Sequence, residues 1–358
     1  MKKLFGQISL LIAVMIVAQI QAQISIKALP EKIFIESGRN SQIINFDFLI
    51  SNSGSDTLEL HKVNVSAFDS AGNILHTRFL DNNGTAPSVK MLPVRKWNGN
   101  ESHLVFNPFN EFFLATAISQ LEFEWTFENN AKKQSVVTTI VSPEKYVQKT
   151  NFLLPVKGRV LVYDAHDYTS HHRRFDYNFA PIKSLGILSN FMRYAYDFVI
   201  IDEKGKQHSQ SGDENEQHYI FGKEICSVAA GKVIYAVANH KDDGTFNVPK
   251  LKENPLELYG NCIAIEHSPG VISVYGHLKE NSILVKIGSS VKAGQPIAAA
   301  GTSGSSFFPH LHFEVRTSIG HESQGLPSYF NDLYLREGTK KIPLDNHAPE
   351  TGSIIEAE

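Results

Sequence analysis

The feature that most constrains the fold is a succession of short runs in which apolar and polar residues alternate. Runs such as QIINFDFLISNSG and LELHKVNVSAFDSAGNIL are separated by clusters of Gly, Asn, Ser and Asp. A period of two is typical of a β-strand with one buried face, and the separating residues favour turns. Helical periodicity is weak, and its best candidate is the stretch PIKSLGILSNFMRYAYDF. The chain is therefore expected to be mainly β.

The same pattern divides the chain into two expected domains. Residues 24–145 predict an N-terminal immunoglobulin-like β-sandwich, because strand-like runs follow one another through short turns. Residues 149–342 remain rich in strands, but Gly, His and Tyr become more frequent. Because candidate catalytic residues gather in this second part, we interpret the first as an accessory module. Residues 343–358 lack an amphipathic pattern and are interpreted as a flexible tail.

Residues 1–22 have the features of a secretory signal peptide. Two lysines precede an apolar run from Leu10 to Val17, and Ala22 is a small residue where cleavage could fall. The run is shorter than the roughly 20 residues that a membrane-spanning helix needs. We therefore expect a secreted or periplasmic protein of the cell envelope, with no stable membrane span after signal cleavage.

Charge and cysteine content restrict the function further. The formal net charge is -3 and the lysines and arginines are scattered, so we expect no nucleic acid partner. The chain has two cysteines, Cys226 and Cys262, both in strand-like runs, and we interpret them as small buried apolar residues. Two cysteines cannot form a four-sulfur zinc site, so any metal would have to be bound by histidine and carboxylate.

The stretch HLHFEV places His310 and His312 on one face of a predicted strand. Two imidazoles on one face can serve one metal ion, or one can bind it while the other transfers a proton. An H-x-H pair by itself also fits a solvated strand face. His277 follows another alternating run, VISVYGHL, and glycine-containing turns separate the two runs.

Three blocks in this order resemble the lysostaphin-type (LytM-like) zinc metallopeptidase family, whose members cleave peptides in bacterial peptidoglycan. The blocks are FGKEICSVAAGKVIYAV, YGNCIAIEHSPGVISVYGHL and VKAGQPIAAAGTSGSSFFPHLHFEV. The resemblance covers Gly222 to Arg316 and leaves the first half of the chain unexplained. It implies a β-rich lysostaphin-type (duplicated hybrid motif) domain and a secreted zinc-dependent endopeptidase. Such an enzyme would hydrolyse peptidoglycan peptides through a zinc-bound water.

The resemblance also implies a set of site residues. The family binds Zn²⁺ through a histidine, an aspartate and the second histidine of H-x-H, which is His312 in this chain. His310 and His277 match the two histidines that do not bind the metal. We assign His310 as general base and His277 as the donor that stabilises the intermediate, although these roles can be exchanged.

The first pair of ligands departs from the family's compact spacing. In SHHRRFD, His172 and Asp176 have the literal spacing, whereas Asp197 in RYAYDFVI better resembles the family's aspartate strand. We prefer His172 with Asp197 and keep His171 and Asp176 as alternates. The polar stretch 203–220 is interpreted as an inserted loop that frames the substrate groove.

The alternative is a catalytically inactive family member that binds the cell wall or activates another hydrolase. Degenerate relatives typically lose metal ligands, whereas this chain keeps the three histidines that match the family directly. The sequence therefore favours the enzyme.

Overall fold

A computed structural model describes residues 23–357, so the predicted signal peptide lies outside the described residues. The structure is 42% strand and 7% helix, which confirms the prediction of a mainly β chain. The described residues divide into two compact units, one ending at Tyr146 and the other beginning at Val147. Within residues 23–357, no helix is long and apolar enough to cross a membrane.

The strands of the N-terminal unit form three sheets. The strand orders are β1-β4-β8, β11-β10-β5-β6 with β7 beside β5, and β12-β2-β3-β9. The strands are β1 (Ile24–Leu29), β2 (Phe34–Ser37), β3 (Ser41–Ile43), β4 (Asp47–Asn52), β5 (Leu58–Phe68), β6 (Ile74–Asp81), β7 (Lys96–Trp97), β8 (Ser102–Phe106), β9 (Glu111–Phe113), β10 (Gln120–Asn129), β11 (Gln134–Val141) and β12 (Glu144–Lys145), with a 3-10 helix at Ser88–Met91.

Aromatic side chains join two of these sheets face to face. The Phe48 ring of β4 lies 4.8 Å from the Phe123 ring and 4.7 Å from the Trp125 ring, both on β10. All three side chains are fully buried, and buried residues alternate with less buried ones along β10. This packing is that of a sandwich; the immunoglobulin-like arrangement of its strands stays a prediction.

The second unit is built mainly around one large sheet. Its strand order is β20-β17-β18-β19-β22-β15-β14-β27-β25-β26, with β23 beside β22; β13 pairs with β24 and β16 with β21. The strands are β13 (Phe152–Leu153), β14 (Gly158–Asp164), β15 (Tyr196–Ile200), β16 (Glu224–Cys226), β17 (Gly231–Val237), β18 (Cys262–Ser268), β19 (Val271–Gly276), β20 (Ser290–Val291), β21 (Pro296–Ala299), β22 (Leu311–Arg316), β23 (Gly325–Leu326), β24 (Phe330–Asn331), β25 (Leu333–Glu337), β26 (Lys340–Leu344) and β27 (Ile354–Ala357).

Helical segments of the second unit are short. The predicted helical stretch contributes one four-residue α-helix, α1 (Ala180–Lys183). Gly186 follows with φ +80°, a conformation that ends helices. The 3-10 helices are Asn215–Gln217, Val248–Lys252 and Pro255–Tyr259.

Strand β22 has two chemically different faces. Leu311, Phe313 and Val315 are fully buried in the main apolar core of the unit. The alternate residues, beginning with His312, project from the opposite face, as the period of two predicts. The H-x-H prediction of one shared face agrees with this geometry, although His310 lies just before the strand begins.

The structure differs from the interpretation of residues 343–358 as a flexible tail. Within them β27 lies between β14 and β25, and its Ile355 side chain is fully buried. His347 also exchanges backbone hydrogen bonds with Phe330. A four-residue strand is too short to show a clear period of two in the sequence. Its position is set instead by partner strands that are distant along the chain.

The cysteine prediction is confirmed. Cys226 and Cys262 are free thiols and both are buried. Burial raises the pKa of the Cys226 thiol to about 11 and that of Cys262 further still, so both remain protonated near neutral pH.

We expect Ile355→Ala to lower the free energy of unfolding of the second unit by about 2–5 kcal/mol, because it opens a cavity in a packed core. Ile354→Ala is the matched control, since the neighbouring side chain is only half-buried, and it should cost less. Denaturant unfolding of the full chain measures both. Equal losses for the two variants would contradict the placement of β27.

Candidate metal centre

Asp197 lies at the centre of a group of imidazoles. Its Oδ1 atom is 3.2 Å from Nδ1 of His312, 3.4 Å from Nε2 of His172 and 3.5 Å from Nε2 of His310. All four side chains are buried. One ligand atom each from His172, Asp197 and His312 lies within 4.8 Å of the others. Two imidazole nitrogens and one carboxylate oxygen form a donor set that fits zinc.

Three neighbouring strands position this group. Asp197 of β15 is the direct cross-strand partner of His312 on β22, and it also pairs with Asp164 at the end of β14. Directly opposed residues in an antiparallel pair have their Cβ atoms about 4.5–5.5 Å apart. Side chains distant along the sequence therefore meet because the strands pair in this register.

Aromatic and charged side chains hold the His312 ring. The Tyr259 ring stacks on it at 4.5 Å with an interplanar angle of 21°. The Nε2 atom of His312 faces Oε2 of Glu314 at 3.7 Å. Oε1 of Glu314 accepts hydrogen bonds from Nη1 of Arg316 at 2.7 Å and from the Tyr259 hydroxyl at 3.1 Å. Nδ1 of His312 is thereby directed towards Asp197.

Glu314 and Arg316 form a buried ion pair beside the centre. Burial alone would raise the pKa of the Glu314 carboxyl, but the Arg316 charge and His312 hold it below its usual range. The guanidinium lies 4.4 Å from the Phe191 ring, and its Nε donates to the Ser318 carbonyl. Glu314 therefore stays ionised beneath His312.

Asp164 is a residue that the sequence reasoning missed. Its Oδ2 atom lies 2.9 Å from Nδ1 of His172 and 2.9 Å from Nδ1 of His171, and it accepts a hydrogen bond from Oγ of Ser170. A carboxylate behind a ligating imidazole fixes the ring orientation and increases its basicity. The signal in the sequence is only that Asp164 ends an alternating run, GRVLVYD.

The two carboxylates set the charge of His172. Burial alone would lower its pKa, but Asp197 and Asp164 outweigh burial and raise the pKa to about 10. Burial would raise the pKa of Asp197, but His172 and His310 keep it well below its usual range. A position that favours a positive charge between two buried carboxylates also suits a divalent cation.

The two alternate ligands differ in their distance from this group: His171 lies beside it, whereas Asp176 is in neither metal-capable set of residues 23–357. His171 is largely exposed, and its Nε2 is 3.6 Å from Oδ2 of Asp197, whereas His312 approaches Oδ1. Oδ1 of Asp176 accepts hydrogen bonds from the backbone N–H groups of Asn178 and Phe179. Among the described residues, the groups able to hold a metal include His171 in a set with Asp164 and His172, but not Asp176.

His277 and His310 form a second pair of imidazoles next to the first group. Their ring centroids are 4.7 Å apart. Nδ1 of His277 lies 2.8 Å from the Ser303 carbonyl, and Nδ1 of His310 lies 2.8 Å from the Phe308 carbonyl. A carbonyl only accepts, so each Nδ1 donates and each neutral ring keeps a free lone pair on Nε2.

Burial keeps both of these rings neutral. It lowers the pKa of His277 well below the usual value, with further lowering from His310 and His312. It also lowers the pKa of His310, although Asp197 opposes the shift. His277 has φ +57°, a rare backbone conformation that hydrogen bonds to the Tyr259 carbonyl and from the Gly301 N–H maintain.

A groove of about 470 Å³ contains the imidazoles. Its polar floor consists of the histidines described above and Asp197, and the Phe307 side chain at its edge is 98% exposed. The apolar wall is Tyr163, Phe175, Met192, Leu258, Phe307 and Phe308. The stretch 203–220 does not line this groove; its His218 stacks on Phe308 at 6.3 Å and so supports the wall.

Comparison with known proteins gives the family of the second unit. Residues 218–325 match the model of Peptidase family M23. This part of the chain is an M23 peptidase domain. The matched residues include His277, His310 and His312, whereas His172 and Asp197 precede them.

The relatives of the M23 domain have more than one named activity. Murein hydrolase activator EnvC of Escherichia coli (strain K12) is 38% identical over 95 residues, 26% of this chain and 18% of that protein. Peptidoglycan DD-endopeptidase ShyB of Vibrio cholerae is 30% identical over 132 residues, 35% of this chain and 29% of that protein. The chain thus spans less than a third of the length of these curated relatives.

Solved structures of M23 domains are also similar. The catalytic domain of lysostaphin from Staphylococcus simulans has a TM-score of 0.22 and 24% identity, covering 34% of this chain and 86% of that domain.

We expect Glu314→Ala to lower the free energy of unfolding of the M23 domain by about 3–5 kcal/mol, because it leaves the Arg316 guanidinium buried without its counterion. Glu322→Ala, at an exposed position, is the control and should change stability little. Chemical unfolding of the purified chain measures both. A loss no larger than that of the control would show that the ion pair is not buried as described.

Proposed function

We propose that this protein is a secreted zinc-dependent endopeptidase that hydrolyses peptide bonds of bacterial peptidoglycan. The observation that carries the proposal is the convergence of His172, Asp197 and His312 beside two neutral histidines in one groove. Both M23 membership and the named activity of the Vibrio cholerae relative support the choice of substrate.

In this proposal Zn²⁺ is held by Nε2 of His172, a carboxylate oxygen of Asp197 and Nδ1 of His312. When bound, the ion would supply Lewis acidity for amide hydrolysis. Asp164 and Glu314 lie behind the two imidazoles and orient them. His171 and Asp176 are not ligands in this proposal.

His310 accepts the proton of the attacking water. Its Nδ1–H is engaged by the Phe308 carbonyl, so the lone pair on Nε2 faces the group around Asp197. The proton taken up at Nε2 is then available to the leaving amide nitrogen. The ring of His277 has the same tautomer, so its role as a donor requires a second proton on Nε2.

The second candidate function is activation of a separate hydrolase. It is favoured by two relatives of the M23 domain, the murein hydrolase activators EnvC and NlpD of Escherichia coli (strain K12), at 38% and 37% identity. An activator needs the groove as a binding surface and has no need of a complete metal site.

Zinc binding distinguishes the proposed ligands from their neighbours. We expect the mature chain to bind one zinc ion, and His172→Ala and His312→Ala to lose it, because each removes one of three protein ligands. The controls His171→Ala and Asp176→Ala should retain it. Metal analysis and competition with a chelator measure the affinity; retention by His172→Ala together with loss in His171→Ala would contradict the assignment.

A hydrolysis assay distinguishes the two candidate functions, peptidoglycan endopeptidase and activator of another hydrolase. We expect the zinc-loaded chain alone to release peptides from peptidoglycan sacculi, and a chelator to abolish release. His310→Ala should retain zinc but lower kcat about 10²–10⁴-fold, since a positioned general base contributes that much. An activator would release nothing alone, and both wild type and His310→Ala would stimulate an added cell-wall hydrolase equally.

A further inference from the structure

The N-terminal unit contains a cavity of about 380 Å³ that the proposed enzyme activity does not use. The cavity lies between residues of β6 and β9, which are edge strands of different sheets. Its lining combines one cation, one carboxylate, aromatic rings and small polar groups: Asn40, Ser41, His76, Arg78, Glu111, Phe112, Phe113 and Thr116.

Arg78 occupies a position where the strand pattern favours an apolar residue. It pairs with Val65 across β5 and β6, and Val65 is buried in the sandwich core. A charged side chain on that face costs free energy unless a partner compensates it. The groups around the guanidinium therefore decide whether the charge is fully compensated within the unit or leaves room for a ligand.

The guanidinium of Arg78 is held in place, but one of its hydrogen-bond donors has no partner within residues 23–357. It lies 4.5 Å from the Phe112 ring and 5.6 Å from the Phe109 ring, and Nη2 donates to the Glu111 carbonyl at 2.6 Å. Its Nε atom is buried and has no hydrogen-bond partner among the described residues. A guanidinium that is held in place and has an unpartnered N–H favours a carboxylate as its ligand.

The rest of the cavity is preformed. The buried Gln42 side chain donates to the carbonyls of Phe113 and Thr116, at 2.8 and 2.6 Å, and so fixes the segment after β9. The His76 ring meets the Phe113 ring edge-on at 6.4 Å, and Phe113 is 75% exposed at the cavity. An apolar group of a ligand can pack against this exposed ring.

We propose that this cavity binds a small zwitterion, namely an amino acid or short peptide with a free ammonium group and a free carboxylate. The ligand carboxylate binds Arg78, its ammonium group faces the Glu111 carboxylate, and its apolar side chain packs on Phe113. Glu111 would repel a ligand with only negative charge, and Arg78 would repel one with only positive charge. An uncharged sugar would pair with neither the guanidinium nor the carboxylate. This inference is independent of the enzyme activity proposed for the M23 domain.

Chemical shift perturbation in the ¹⁵N-labelled full chain tests the site, with the dipeptide alanylalanine as the probe. We expect saturable shifts confined to the residues around Arg78. The N-acetylated dipeptide lacks the ammonium and the dipeptide amide lacks the carboxylate, and each should bind at least about tenfold more weakly, as the loss of one charge-assisted contact predicts.

Three variants locate the binding. Arg78→Gln should weaken alanylalanine binding at least about tenfold, whereas Lys62→Gln removes a charge from the neighbouring strand β5 and should leave binding unchanged. Glu111→Gln, at an exposed position, should abolish the preference for the free dipeptide over its N-acetylated form. Absence of saturable binding, unchanged binding by Arg78→Gln, or tighter binding of a neutral disaccharide at these residues would overturn the proposal.

Discussion

The candidate metal centre depends on the register between β15 and β22. Asp197 is the direct partner of His312, which brings Oδ1 of the carboxylate 3.2 Å from Nδ1 of the imidazole. Because side chains alternate, a slip of one residue would turn Asp197 towards the core that contains Phe313. The apolar face of β22 therefore fixes the position of the polar one. Stability of the core and geometry of the centre are consequences of the same pairing.

Buried charges then give the histidines of one groove different properties. Asp164 and Asp197 flank His172 and raise its pKa to about 10, after allowing for the opposing effect of burial. His277 and His310 face backbone carbonyls instead, and burial lowers the pKa of both. When their environments shift the pKa values of neighbouring titratable groups in opposite directions, the groups suit different chemical roles. The first group suits a bound cation, and the second suits proton transfer by neutral imidazole.

The sequence predicts those features of the site that follow from local periodicity. Alternation places the H-x-H histidines on one face, and the same rule extended along β22 would also have indicated Glu314 and Arg316. Asp164 could not be found in this way, because it reaches His172 only through the pairing of β14 with β15. Strand β27 could not be predicted for the same reason, since its partner strands are distant in sequence. Two adjacent imidazoles also look alike until the tertiary fold buries one of them and exposes the other.

The most direct test of the account is a crystal structure of the zinc-loaded chain, with the metal located by anomalous scattering. We expect one zinc ion bound by Nε2 of His172, a carboxylate oxygen of Asp197 and Nδ1 of His312, with Asp164 behind His172. Coordination by His171 or Asp176, or a zinc ion bound away from His312, would contradict it.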